Sequence, residues 1–191
     1  MPPRLQLGDA LLIVDVQNDF CPGGALAVPA GDAVVPVLNA WIAAATGAPV
    51  FASRDWHPAN HISFRARGGP WPPHCVVNTH GAALHPNLHL PEQVTIISKA
   101  TTPDRDAYSA FDGTDLGARV TAAGVRRLWV SGLATDYCVR ASVLDALQLP
   151  GLDVRVIVAA VRPVDAHPGD GARALAEMQA AGALLEDDSA A

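Results

Sequence analysis

Ser131-Gly-Leu-Ala-Thr-Asp-Tyr-Cys-Val-Arg140 is the stretch on which the fold turns. The apolar, β-prone segment Arg127-Leu-Trp-Val-Ser131 precedes it. The segment Ala141-Ser-Val-Leu-Asp-Ala-Leu147 follows, with apolar residues at helical spacing. The stretch therefore reads as strand, small-residue turn, helix. Thr135 is a natural N-cap and places Cys138 in the first helical turn. Free N–H groups and the positive end of the helix dipole favour a thiolate there. Cys138 is thus a candidate nucleophile at the carboxyl end of a strand, although free cysteine is also among the most buried residue types. This stretch alone leaves both readings open.

Working outward, Ala10-Leu-Leu-Ile-Val-Asp-Val16 is a nearly continuous apolar run interrupted by one charge, Asp15. That is the pattern of a strand buried on both faces. A loop, residues 17–24, leads to a helix predicted over 32–46. Further strands are predicted at 49–53, 94–98, 154–158 and 183–185, and further helices at 115–123 and 169–181. The tail, residues 186–191, is expected to fray. Strands alternating with helices predict one α/β domain over residues 1–191. Its expected core is a doubly wound, mainly parallel six-stranded sheet with helices on both faces. Ligands of such sheets bind at the carboxyl ends of the strands. Asp15 lies near the end of the first strand, Asp55 and His57 follow the second, Lys99 the third and Cys138 the fourth. Residues 54–92 break the alternation, being rich in His, Pro and Gly without sustained period. A loop of that length in a compact domain is usually functional or disordered, and its Trp and His content argues for function.

The composition narrows the class. A chain of 191 residues, 50% hydrophobic, can bury a sizeable core. The net charge of −6 and the lack of a Lys/Arg cluster argue against nucleic-acid binding. Three cysteines cannot all pair internally, which suits a reducing compartment. Met1-Pro-Pro-Arg4 lacks the regions of a secretory signal, and no apolar run approaches the ~20 residues of a membrane span. The expectation is a soluble cytoplasmic protein.

Asp15, Lys99 and Cys138 could act together. A carboxylate inside an apolar strand is costly unless paired, and Lys99 is its natural partner. Ionised Asp15 within reach of Cys138 could take the thiol proton and later return it to a leaving group. A structural Asp–Lys pair beside an inert Cys fits the same positions. In the long loop, Asp55, His57, His61 and His74 offer one carboxylate and three imidazoles. That set suits one divalent ion, Zn, Fe or Mn, without choosing between them. His57 and His61 would share a face if the segment were helical. His80, His85, His89 and Cys75 are further donors in principle, and a merely solvated His-rich loop is the alternative. Phe20 and Trp71 are loop aromatics at the same mouth and could sandwich a flat ring.

Several segments together resemble one family: Val14-Asp-Val-Gln-Asn-Asp-Phe20, Ser53-Arg-Asp-Trp-His57, Trp71-Pro-Pro-His-Cys75, Lys99 with Asp104-Arg-Asp-Ala-Tyr-Ser-Ala-Phe111, and Gly132-Leu-Ala-Thr-Asp-Tyr-Cys-Val-Arg140. They resemble the nicotinamidase (pyrazinamidase) branch of the isochorismatase-like cysteine hydrolases. The resemblance runs from about Asp9 through the last helix. It implies Asp15, Lys99 and Cys138 as catalytic triad and Asp55, His57, His61 and His74 as metal ligands. It further implies Ala134 and Cys138 N–H groups as oxyanion hole, with a cis Leu133–Ala134 peptide. Phe20, Trp71, Leu133, Ala134 and Tyr108 are then the residues against the substrate. The implied reaction is hydrolysis of nicotinamide to nicotinate and ammonia in NAD salvage, with pyrazinamide as a second substrate. Neither nucleic acid nor membrane is an implied partner. Residues 76–92 and the Arg162-Pro-Val-Asp-Ala-His-Pro168 loop receive no role. Two rivals keep the fold: hydrolysis of another small amide or ureide, and a catalytically silent binding protein.

Overall fold

The apolar run after Gly8 forms the central strand, β1 (Asp9–Val14), every residue of which is buried. In the computed structural model, which describes residue 2 and residues 4–187, β1 lies between β2 (Val50–Asp55) and β4 (Arg127–Leu133). With β3 (Thr95–Lys99), β5 (Asp153–Arg162) and β6 (Leu184–Glu186) they form one sheet in the order β3-β2-β1-β4-β5-β6. Every pairing is parallel, where the sequence predicted mainly parallel. The C-terminal strand reaches Glu186. The rest of the tail expected to fray, from 188 on, lies outside the described residues.

Two apolar layers cover the sheet because side chains alternate along β1. Leu11 and Ile13 pack on one face with Val34, Val35, Leu38 and Trp41 of α1 (Val34–Ala44). Ala10, Leu12 and Val14 pack on the other with Leu116 and Val120 of α2 (Leu116–Ala122), Val143 and Ala146 of α3 (Arg140–Ala146), and Met178 of α4 (Asp170–Ala180). Each fully buried Leu, Ile or Val contributes about 1.5–3 kcal/mol relative to an exposed one. Among the described residues no helix is long and apolar enough to cross a membrane.

The chain winds outward from β1 to β3, then returns to start β4 on the other side of β1. The carboxyl ends of β1 and β4 therefore flank the switch point, where such sheets hold their ligands. At that junction β4 has Gly132, with φ +108, facing Val14. A Cβ there would collide with the Val14 backbone, so only glycine lets the strands close up. The next peptide, Leu133–Ala134, is cis, as the resemblance implied.

Strand β2 runs two residues and β3 one residue further than the apolar pattern suggests. Asp55 and Lys99 are thus the last, mutually paired residues of their strands rather than loop residues. Beyond them the long loop contains one short helical turn, Arg65–Arg67, and isolated bridges His57–Val76 and Phe64–Trp71. Gln17 anchors it: its buried side-chain amide donates to Asp55 O (2.8 Å) and Ala82 O (2.9 Å), and its Oε1 accepts Asp55 N–H (2.8 Å).

Candidate active site

Chain reversal at the end of β1 places Asp15 in a left-handed conformation, φ 48. Its carboxylate is fully buried. Ser53 Oγ–H donates to its Oδ1 at 2.6 Å, and Lys99 Nζ stands 2.9 Å from its Oδ2. Lys99, also buried, donates to Asp55 Oδ1 and to Ala107 O (3.1 Å) and lies 3.5 Å from Cys138 Sγ. Although Lys99 pairs with Asp15 Oδ2 at short range, the direction of approach leaves that oxygen without an aligned hydrogen bond. It keeps a lone pair for the thiol proton.

The charges divide sharply. Burial raises the Asp15 carboxyl above its ordinary value, and Lys99 opposes that only in part. For Asp55 burial pushes the same way, but the Lys99 ammonium in contact with its Oδ1 outweighs it and holds the carboxyl below the usual range. Burial works against the Lys99 ammonium, yet Asp15, Asp55 and Cys138 keep it charged well above its ordinary value. Burial also pushes the Cys138 thiol well up, and Lys99 offsets this only partly against the two carboxylates. The resting nucleophile is therefore a thiol, not the thiolate expected from the helix dipole, and it needs a base.

The turn that carries Cys138 is a π-type turn, Thr135–Val139, running into α3. Thr135 does not cap it. The residue before the turn is Ala134, there is no side-chain cap, and Thr135 Oγ1 is buried without a partner. The Ala134 carbonyl accepts the N–H groups of Tyr137 (3.1 Å) and Val139 (3.1 Å), whereas the Cys138 N–H between them does not donate to it.

Donor atoms of Asp55, His57 and His74 lie within 4.8 Å of one another. Each imidazole is oriented from behind. His57 Nδ1 faces Ala100 O at 3.3 Å and His74 Nδ1 faces Pro72 O at 2.8 Å. A carbonyl only accepts, so both Nδ1 atoms carry the proton and both Nε2 atoms present lone pairs. His57 Nε2 is buried without a hydrogen-bond partner, 3.4 Å from Asp55 Oδ2. Two lone pairs facing one another in a buried site is an arrangement that a cation relieves, so these residues fit a divalent ion. Burial lowers the His74 pKa, which favours the neutral, ligating form.

His61 differs from the sequence-based expectation. It is buried and stacks on His57, with ring centroids 4.2 Å apart, but its donor atoms do not join the cluster. Its Nε2–H donates to Arg105 O (3.0 Å), and its Nδ1 meets Ser63 Oγ at 2.7 Å. The segment from Pro58 to His61 is not helical, so the four-residue spacing does not align the two imidazoles on one metal.

Beside Cys138 opens a narrow cleft lined by Phe20, Trp71, Tyr108, Ala134, Asp55 and His74. Tyr137, Leu26, Val28 and Val164 complete its apolar wall and had no role in the sequence reading. Trp71 Nε1–H donates to Tyr108 Oη at 3.1 Å, and Trp71 and Tyr137 meet edge-on at 5.3 Å. Leu133 is not at the cleft. It is fully buried in the core facing α1, because the β4 pleat turns its side chain inward.

A parallel sheet with Asp15, Lys99 and Cys138 gathered at its switch point defines the class: the chain belongs to the isochorismatase family, whose Isochorismatase domain profile matches residues 9–188. Nicotinamidases and pyrazinamidases are among its relatives. The chain is 47% identical to the nicotinamidase of Escherichia coli, over 97% of this chain and 95% of that one. It superposes with TM-score 0.90 and 50% identity on the pyrazinamidase of Pyrococcus horikoshii in complex with zinc, covering 94% and 99% of the two chains. PnC1 from L. infantum in complex with nicotinate matches at TM-score 0.86 and 35% identity, covering 98% and 96%.

Proposed function

We propose that this chain is a nicotinamidase that hydrolyses nicotinamide to nicotinate and ammonia and also accepts pyrazinamide. One observation carries the reading: a buried acid, cation and thiol converge at the floor of an aromatic-walled cleft that also holds Asp55 and His74. Phe20 and Trp71 confine the flat ring, and Tyr108 closes one side through its bond to Trp71. Asp55, His57 and His74 hold a divalent ion, Zn, Fe or Mn, which when bound supplies a Lewis acid for the ring nitrogen. His61 supports His57 by stacking.

Asp15 Oδ2 takes the Cys138 proton as Sγ bonds to the amide carbon. The oxyanion forms against the Ala134 and Cys138 N–H groups, the latter left free of the Ala134 carbonyl. Asp15 then delivers its proton to the amide nitrogen, the C–N bond breaks and ammonia leaves a thioester on Cys138. Asp15 next deprotonates a water that attacks the thioester. The C–S bond breaks, the thiol recovers its proton and the acid product departs. Lys99 balances the carboxylate throughout. A cytoplasmic setting belongs to the same proposal, supported by three free, buried cysteines.

The test is ammonia release from nicotinamide by purified protein, before and after chelation with metal add-back. Turnover that depends on the metal is expected. A metal-replete sample that releases no ammonia would refute the substrate assignment and redirect the search to other small amides.

A further inference from the structure

The loop after β5, residues 163–168, is joined to the nucleophile turn by one side chain. Asp136, two residues before Cys138, accepts the backbone N–H of Val164 (2.9 Å) on Oδ1 and of Asp165 (2.9 Å) on Oδ2. Val164 forms part of the wall of the cleft beside Cys138. Asp165, with φ 51, turns the chain and passes the link on: its Oδ1 accepts the N–H of Gly171 at 2.8 Å, in the first turn of α4. Gly171 in turn sits so close to Pro163 that a Cβ would stand 2.6 Å from the proline ring. The loop is thus held on one side by the nucleophile turn and on the other by α4.

We infer that Asp136 is a positioning residue for substrate: it sets the distance between the Val164 wall and the Cys138 thiol, and so tunes the fit of the ring amide. The inference deepens the nicotinamidase reading and rests on it. A carboxylate that accepts two amide donors fixes a loop more firmly than water could, because charge-assisted bonds are about twice as strong as neutral ones. Neither oxygen touches the reacting atoms, so the effect belongs in the fit of the ring rather than in the proton transfers.

The experiment uses the metal-loaded full chain with nicotinamide as substrate and iodoacetamide as a ringless probe of the Cys138 thiol. Asp136→Asn keeps one acceptor and turns the other oxygen into a donor against an N–H. Its expected effect is a rise in KM of about five- to tenfold, the scale of one ordinary hydrogen bond, since Asn keeps one of the two acceptors. A change in kcat below about twofold and an unchanged rate of Cys138 alkylation by mass spectrometry go with it. In a Val164→Ala background the same substitution is expected to change KM less than about twofold, since the wall it positions is already gone. Asp165→Gly suits the left-handed backbone but releases the bond to α4, and it gives a smaller rise of the same kind. It serves as well if the Asp136 variant does not fold. An unchanged KM in both single variants, a fall in kcat and alkylation together, or full additivity with Val164→Ala would overturn the inference. Failure of the nicotinamidase reading looks different, because wild-type protein would then release no ammonia at all.

Discussion

Ser53→Ala isolates the base without touching a metal ligand. Ser53 is fully buried in β2, and its hydroxyl donates to Asp15 Oδ1 at 2.6 Å. That bond favours the ionised carboxylate, whereas burial pushes Asp15 toward the protonated form. A hydrogen bond to a charged acceptor contributes roughly 1.5–3 kcal/mol and one between neutral partners roughly 0.5–1.5. The difference of about 1–1.5 kcal/mol is what ionised Asp15 loses relative to protonated Asp15, and it corresponds to about one pH unit. Asp15 must be ionised to take the thiol proton, so activity rises with pH through its pKa, and that limb lies above the ordinary aspartate range. In Ser53→Ala the acid limb of kcat/KM moves upward by about one pH unit, while the plateau stays within about threefold of wild type. Stability follows the same sign. The folded-state pKa of Asp15 is raised, so its stabilising contribution is complete at acid pH and is lost as pH rises through that pKa. The variant is therefore destabilised most above the limb and least below it. The assay is initial-rate ammonia release across pH, paired with urea unfolding at both ends. An unmoved limb would refute Asp15 as the base, because a limb set by imidazole protonation and metal loss does not respond to Ser53.

Cys138→Ala should fold, bind metal and release no ammonia; turnover at the wild-type rate would remove the thiol from the mechanism. His57→Ala should lose the ion, checked by elemental analysis. His61→Phe preserves the stack on His57 but neither polar contact, and it should retain the wild-type metal stoichiometry with weaker substrate binding; loss of metal equal to that in His57→Ala would make His61 a ligand. Gly132→Ala drives a methyl group into the Val14 backbone at φ +108 and should cost at least about 3 kcal/mol in urea unfolding; a normal midpoint would show that the β1–β4 junction yields.

The architecture was legible because one physical signal dominates it. Ala10-Leu-Leu-Ile-Val reads as a strand buried on both faces, and β1 is buried throughout. Asp15 and Cys138 stood out for related reasons, as a charge inside an apolar run and as a thiol after a strand. The strand ends were less legible. Polar residues suggest termination, yet β2 and β3 run through Asp55 and Lys99 because these are register partners whose charges compensate. Similarly β5 reaches Arg162, since the register shift opposite Val130 and Gly132 lets Val161 pair again. Composition marked the long loop as functional but could not show which imidazoles meet. That depends on carbonyls supplied by Ala100, Pro72 and Arg105, and main-chain acceptors leave no trace in residue type. The Val164 wall was invisible for the same reason, being placed by amide donors to Asp136.

The sequence separated the two aspartates by their neighbours, Asp15 in an apolar run and Asp55 beside the histidines, but did not show that both contact Lys99. With one ammonium between them, Asp15, Asp55 and Lys99 carry a net charge of −1 where no residue is more than 5% exposed. An uncompensated buried charge costs several kcal/mol, so the cluster requires a proton or a cation. Asp15 is the carboxylate raised toward protonation and faces the thiol; Asp55 is the one held ionised and faces the imidazoles. The proton therefore goes to the side of the nucleophile and the cation to the side of the histidines, and environments that drive two carboxyl groups apart in this way assign one as base and the other as ligand.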